Sequence, residues 1–539
     1  MKAHCLPFSQ IPHTTRLFSD FLAYTPKVQQ FYPCSPNLDD WVQEQNPNPR
    51  FSAGRRQQVT AILERQNRAW GASAATLANL ERLRTGAAAI VTGQQVGLFG
   101  GPAFAIYKAL TAVRLAEQAT QLGVPTVPVF WLATNDHDLA EVNHVWLSGL
   151  DGVPQLFTSE SQGMENAPVG NVAFGAEIES IVQQATELLG DSEVSDFLRA
   201  SYRTGETFGS AFAKLMARLF SEIGVILLDP MDAAFGTIAE PIYRAAIERA
   251  AELDEELLAR GKELETAGYH QQVKVTSSST LLFALQNGAR VPIHRRSNGN
   301  GAEFSIGTEK LSRADLLARI SARPQDFNPN VLLRPIVQDY LLPTLAYTGG
   351  SAEVAYFAQV GVVYEALLGQ TTPVIPRFSA TLIESKEERL LGKYHLKLSD
   401  LFHGVEALQE KVAERTLPRD LQNSFERAHR SLETTLADVN GALQNLDPTL
   451  VESSKKAESK MRYQLNRLQS RAARAQFRRN ELIGRHVLQL SNALFPHKEL
   501  QEREFGGVSY LARHGTGFLQ ELYGLIHTDC HDHQVVSLV

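Results

Sequence analysis

Cysteine is scarce in this chain: Cys5, Cys34 and Cys530 are the three among 539 residues. An odd number so widely spaced excludes a disulfide framework and a cysteine-based structural zinc site, and it fits a reducing compartment. Long apolar runs are missing too. The opening text MKAHCLPFSQIPHTTRLF lacks the apolar core of a signal peptide, and no stretch approaches the roughly 20 residues of a spanning helix. A soluble cytoplasmic protein is expected. Positive charge is not in excess, with 52 Lys and Arg against 59 Asp and Glu and a formal net charge of -7. Broad binding to nucleic acid or membrane surfaces is therefore not expected, although a local basic patch stays open. Both common nucleotide signatures are lacking: no glycine loop ends in GK[ST], and none has the G-x-G-x-x-G spacing.

What is present is core-forming text. Hydrophobic residues make up 43% and charged residues 21%, enough for a sizeable interior. The chain is organised around AAAIVTGQQVGLFGGPAFAIYK, residues 87–108. A short apolar run, Ala87 to Val91, reads as a buried strand. A turn with Gly93, Gln94, Gln95, Gly97, Gly100 and Gly101 follows, then Pro102 at a helix start, with Ile106, Leu110, Val113 and Ala116 on one face. Strand, glycine loop and helix N-terminus is an arrangement that presents backbone N–H groups to an anion. An ordinary tight turn is the plainer reading and stays open.

Further strands are expected at Thr126–Ala133, Val225–Asp229, Thr344–Thr348 and Pro373–Phe378, alternating with helices at Ala103–Leu122, Gly209–Ile223 and Glu353–Leu368. That order implies an α/β fold with a parallel sheet covered by helices on both faces. Residues 1–85 read as a largely helical leader packed on a core at 86–380. The core is interrupted at about 148–205 and 236–335, and a segment at 496–539 returns to it. Between them, 381–495 carries nearly heptad apolar spacing in three long helices punctuated by Pro418 and Asp447-Pro448, which reads as antiparallel coiled coil. An arginine stripe, Arg467, Arg471, Arg474 and Arg478 beside Arg479, reads as solvated charge, with a phosphate-binding surface as the alternative. The tail cluster His527, Asp529, Cys530, His531, Asp532 and His533 reads as a frayed terminus, with metal binding as the alternative.

Chemistry-bearing residues gather after the expected strands. Asp136, His137 and Asp138, followed by Glu141, Asn143 and His144, leave the second strand, where open α/β sheets bind ligands. Two carboxylates flanking a histidine suit general base work, while helix capping is the plainer role for either aspartate. Asp229 closes the third strand similarly. Arg334, with Gln338 and Asp339, offers a guanidinium for a carboxylate. Gly349, Gly350 and Glu353 form a second glycine junction between strand and helix. Arg377 and Ser379 lead to Lys386 after the last strand, a place for neutralising phosphate charge.

The segments TGQQVGLFGGPAFAIYK, ATNDHDLAEVNH, LRPIVQDYLLPTLAYTGGSAEVAYFAQ and PRFSATLIESK resemble the cysteine-adding (BshC) family of bacillithiol biosynthesis, and the likeness runs from LPFSQIPHTTRLF to FPHKELQERE. The resemblance implies a Rossmann-like core of the class I synthetase and nucleotidyltransferase type with connecting-peptide insertions. It also implies a C-terminal coiled coil that pairs subunits into a homodimer. The implied reaction is amide formation between cysteine and glucosaminyl-malate, with ATP or another nucleotide as activator and no metal ligand set assigned. Asp136, His137 or Asp138 would serve as base, and Arg334, Arg377 and Lys108 would meet the malate carboxylates. Other classes remain in view: a nucleotidyltransferase on another small substrate, or a non-catalytic coiled-coil scaffold.

Overall fold

Alternate residues of Ala88–Gln94 enter two different apolar clusters, which is what a strand buried on both faces requires. Ala89 and Val91 pack with Val127, Val129 and Trp131 and with the leader residues Leu17, Phe18 and Leu63. Ala88 and Ile90 face Ala112, Leu115, Ala116 and Ala119 on the helix Phe104–Gln121, with Leu38 and Trp41. The computed structural model describes residues 1–44, 51–149, 152–161, 163–296, 303–478, 480–528 and 530–538.

In chain order the strands are β1 (Lys2–Leu6), β2 (Ala88–Gln94), β3 (Thr126–Leu132), β4 (His144–Ser148), β5 (Pro154–Thr158), β6 (Ile226–Leu228), β7 (Ser279–Gln286), β8 (Ala289–Arg295), β9 (Phe304–Ile306), β10 (Glu309–Leu311), β11 (Phe327–Pro329), β12 (Thr344–Gly349), β13 (Val374–Pro376), β14 (Ala380–Ile383) and β15 (His533–Ser537). The central sheet is parallel in the order β13–β12–β2–β3–β6, with Ala88 opposite Thr126 and Gln94 opposite Leu132. Counting only these five in chain order gives 3-2-1-4-5 from the β6 edge, the Rossmann order, whose switch point lies between β2 and β12. The five strands expected from sequence are these five, each within a few residues of its expected ends.

Elsewhere the structure adds detail, and at the tail and the cysteines it corrects the expectation. The largely helical leader includes two helices, Ala53–Ala69 and Ala74–Thr85, with Gly71 at positive φ between them. The second interruption of the core is a folded body. It holds helices Ala233–Glu248 and Ala250–Thr266 and an antiparallel sheet β10–β9–β8–β7–β11. A third sheet has the order β1–β15–β14, so the tail is not frayed: His533 opens a buried strand. Cys5 and Cys530, 525 residues apart in sequence, are joined as a disulfide, a pairing that spacing gave no reason to expect. Asp529 of the tail cluster lies outside the described residues.

The chain divides into two units, one of Cys5–Ala380 with Glu502–Gln534, the other of Met1–His4, Thr381–Gln501 and Val535–Val539. In the second, the helices Arg419–Leu446 and Thr449–Arg478 form a hairpin across Asp447-Pro448, and the third helix, Glu481–Leu494, is half as long. Leu421, Val439, Leu450, Met461 and Leu468 stay exposed on the hairpin. Arg474 pairs with Glu410; Arg479 and the side chain of Arg478 lie outside the described residues. Among the described residues no helix is long and apolar enough to cross a membrane.

Candidate active site

Parallel strands deliver their carboxyl ends to one edge, and beside the switch point that edge opens into a cleft of about 690 Å³ within the larger unit. Gln94 and Gln95 enter it from β2, Asn135, Asp136 and His137 from β3, Gly350 to Glu353 from β12, and Arg377 from β13. The inserted sheet closes it with Phe283 and Arg290.

Its acidic side is built around one amide. Gln95 Nε2 donates to Asp136 Oδ2 at 2.8 Å and to Glu141 Oε2 at 2.6 Å. Burial raises the pKa of the Glu141 carboxyl, the Gln95 bond opposes this, and the Asp136 and Asp138 charges add to it. Asp136 Oδ1 accepts the His137 N–H at 2.7 Å. His137 Nδ1 lies 3.2 Å from Arg290 Nη1. A guanidinium only donates, so Nδ1 must accept, and the neutral ring carries its proton on Nε2. That makes His137 a hydrogen-bond donor toward a ligand and removes Nδ1 as a base. Asp138, expected as a third catalytic group, instead caps the helix Leu139–Val142 by accepting from Glu141 N.

The basic side holds Lys108, Arg290, Arg334, Arg377 and Arg503, and the first four have distinct partners. Lys108 Nζ donates to Gly93 O at 2.8 Å and Gln94 Oε1 at 2.9 Å, and lies 2.7 Å from Glu353 Oε2. Burial lowers the Lys108 pKa, and Glu353 partly restores it. Burial alone would raise the Glu353 carboxyl; Lys108, the Tyr347 hydroxyl at 2.5 Å and the Gly350 N–H at 2.7 Å outweigh it and hold it below the usual range. Arg377 donates to Phe378 O and to Glu502 Oε1, both at 2.7 Å. Arg334 donates to Gln338 Oε1 at 2.9 Å and the Tyr356 hydroxyl at 2.8 Å. Burial pushes the Arg290 guanidinium down to about 10, with the Asp136 charge opposing.

Several expected ligand groups are elsewhere. The amides of Gly97, Gly100 and Gly101 bond to Gln95 O, Gly97 O and Leu98 O, and Ala103 N donates to Phe505 O, so the first glycine loop has turned its donors inward. Pro102 bridges to Gly506, and the helix begins two residues later. Asp229 accepts from Thr134 Oγ1 and Met231 N and does not line the cleft. Gln338 and Asp339 are buried; Gln338 orients Arg334, and Asp339 accepts from the Tyr364 and Thr372 hydroxyls. Asn143 ends the short helix after Asp138. Gly349 closes β12 because a Cβ there would sit 2.8 Å from the Glu353 side chain. Ser379 is locked between Glu502 and His533, 2.8 and 2.7 Å away. Ser379 to Lys386 is strand β14 and a helix start rather than a loop, and Lys386 belongs to the other unit.

For a nucleotide's phosphates, therefore, the first loop does not fit. The second does better: Ser351 and Ala352 open the helix Ser351–Leu368 at the cleft wall, at positions whose N–H groups have no partner within a helix. Arg290 and Trp131 line the cleft without any signal in the sequence, because an insertion and an inward-facing indole reach it only through the fold.

Residues 1–378 match the family model "Bacillithiol biosynthesis BshC, N-terminal Rossmann-like domain", and residues 380–538 match "Bacillithiol biosynthesis BshC, C-terminal coiled-coil domain". A Koribacter versatilis protein named "Putative cysteine ligase BshC" is 52% identical over 99% of both chains. Relatives of the same name from Solibacter usitatus and Salinibacter ruber are 36% and 34% identical, over 99% of this chain and 100% and 98% of theirs. Among solved structures, "putative arginyl t-RNA synthetase" from Campylobacter jejuni covers 90% of this chain and 100% of its own at 11% identity and a TM-score of 0.23, too low to carry an argument.

Proposed function

The chain belongs to the BshC family of bacillithiol biosynthesis, and from that premise we propose that it is a cysteine ligase, joining the carboxyl carbon of L-cysteine to the amine of glucosaminyl-malate. The full-length likeness to cysteine ligase relatives carries this reading. The cleft meets its chemical needs. An amine must lose a proton as it attacks, and Asp136 with the raised-pKa Glu141 stands ready to take it. The His137 Nε2–H is a donor for the oxygen that gains charge as the C–N bond forms.

A free carboxylate is a poor electrophile, so activation by ATP or another nucleotide belongs to the proposal. The amino end of Ser351–Leu368 is where phosphates would be held. Small-molecule substrates in the cytoplasm follow from the same reading. So does a homodimer, in which a second copy covers the apolar residues left exposed on the hairpin.

A deletion strain should accumulate glucosaminyl-malate and lose bacillithiol, and the intact gene should restore it. Asp136→Asn should fail to restore it while the purified variant keeps the wild-type melting temperature. Normal bacillithiol in a deletion strain with no second ligase rejects the function. Full rescue by Asp136→Asn moves the base to Glu141.

A further inference from the structure

Four of the cations lining the cleft fall into two classes. Lys108 and Arg377 each have a carboxylate at 2.7 Å, from Glu353 and Glu502. Arg290 and Arg334 have none within ion-pair distance among the described residues. Arg290 is 8% exposed, its guanidinium stacked 4.2 Å from the Phe283 ring centroid. Its Nη atoms meet only neutral groups, His137 Nδ1 and Pro329 O, both at 3.2 Å, and its Nε–H is buried with no partner. The nearby Asp136 carboxylate is already committed to Gln95 and the His137 amide. Arg334 likewise donates only to neutral oxygens and lies over Tyr347 and Trp131, at 5.1 and 5.9 Å from their ring centroids. Trp131 is 1% exposed, and its Nε1–H is also without a partner.

Guanidinium groups stay charged in proteins, and a buried charge without a counter-charge is costly. Arg290 is buried and Arg334 partly buried, and the carboxylates whose charge reaches them, Asp136 and Glu353, are bonded to other partners; with two idle donors in the same cleft, this describes a site that a dianion would complete. We propose that Arg290 and Arg334 form the receptor for the two carboxylates of the acceptor's malyl group, with Arg290 contributed by the inserted sheet. This rests on the ligase reading above. Arg290 is then a specificity residue: it selects an acceptor bearing carboxylates and, through His137 Nδ1, links that selection to the orientation of the imidazole.

The test is calorimetric binding of L-malate and of inorganic phosphate to the full-length protein, in wild type, Arg290→Met, Arg290→Lys and Arg334→Met. Wild type binds L-malate, and each methionine variant loses about tenfold or more, as loss of a charge-assisted fork should give. Arg290→Lys, which keeps the charge but not the fork, loses about threefold or more and decides the matter if the methionine variant fails to fold. Uncharged L-malamide does not compete. Absence of malate binding by wild type overturns the receptor, as does unchanged affinity in the folded Arg290 variants. Loss of phosphate binding with retained malate binding gives the arginines to a nucleotide and overturns it equally. Amide formation is measured separately. Malate binding through Arg290 without ligation keeps the receptor and rejects the ligase. An active ligase whose KM for glucosaminyl-malate is unmoved by these substitutions does the reverse.

Discussion

Two glycine turns leave neighbouring strands of the central sheet, and they do opposite things with their backbone. After β2, Gly97, Gly100 and Gly101 fold back on themselves. Phe99 sits at φ 51, Gly100 and Gly101 at φ 88 and 66, and their amides are consumed by local carbonyls. After β12, Gly349 and Gly350 make a lean junction in which one side chain, Glu353, caps Gly350 N while holding Lys108. The following residues face the cleft. Glycine density therefore reports backbone curvature, and readiness for a ligand depends on where the amides end up. Of the glycines themselves, Gly97 should be sensitive in stability and Gly350 in activity, while the charges gathered at the second turn carry stability of their own.

The largest effect expected is at the second turn. Glu353→Ala leaves Lys108 buried and unpaired and should cost about 3–5 kcal/mol of stability, read by urea denaturation. Lys108→Met combined with Glu353→Leu should recover much of that, because neither charge remains. Equal losses in the single and double variants would mean that packing, not charge, holds this turn.

Behind the same turn, Arg377 N donates to Gly349 O, and the Arg377 guanidinium is held by Glu502, which also accepts from Ser379. Since Ser379 gives its one hydroxyl proton to Glu502, His533 Nδ1 must donate to Ser379 Oγ. Burial lowers the His533 pKa to about 4 from 6.5. The unfolded chain then binds more protons between those values, so stability is full above about pH 6.5 and drains away as pH falls through about 4. The loss is on the order of 3 kcal/mol. His533→Asn, which retains a donor, should flatten that part of the pH profile. An unchanged profile would assign the acid sensitivity to other groups.

The fold was largely legible from sequence because its signals are local. Runs such as Thr126–Leu132 and Thr344–Gly349 are short, apolar and bounded, as buried parallel strands are. The cleft was legible where residues follow a strand directly, as Asp136, His137 and Gly350 do. It was illegible where partners are remote. Nothing in ALQNGARVP says that Arg290 will reach His137 across 153 positions. Nothing near Asp339 says that Tyr364 and Thr372 will enclose it. Asp138 was ambiguous in sequence because a cap and a base are the same residue type in the same place.

Smaller effects should separate the turns cleanly. Gly97→Ala would put a Cβ 2.9 Å from Gly101 Cα, a backbone clash worth about 1–3 kcal/mol, with kcat/KM unchanged at temperatures where the protein is folded. Gly350→Ala meets only Arg377 Nε at 3.5 Å and a Glu353 oxygen at 3.7 Å. Stability should change by less than about 1 kcal/mol, while a methyl at the cleft wall lowers activity. Reversed outcomes would make the first turn the ligand loop after all.

Another small effect concerns a side chain that secures the first turn from outside. Tyr202, fully buried, accepts from Gly100 N at 3.1 Å and reaches Gly97 O at 3.4 Å, with its ring edge-on to Phe99 at 4.9 Å. Its hydroxyl is too deeply buried to ionise at any ordinary pH, so it works only as a neutral hydrogen-bonding group. Tyr202→Phe keeps the ring and its packing and removes one oxygen. Gly100 N still has Gly97 O at 3.2 Å, so no donor is orphaned. The cost should be about 0.5–1.5 kcal/mol, the net worth of a hydrogen bond, with no change in KM for any substrate. A larger loss would mean that the turn depends on Tyr202 to keep its amides folded inward. A changed KM for a nucleotide would show that those amides are within reach of a ligand once the hydroxyl is gone.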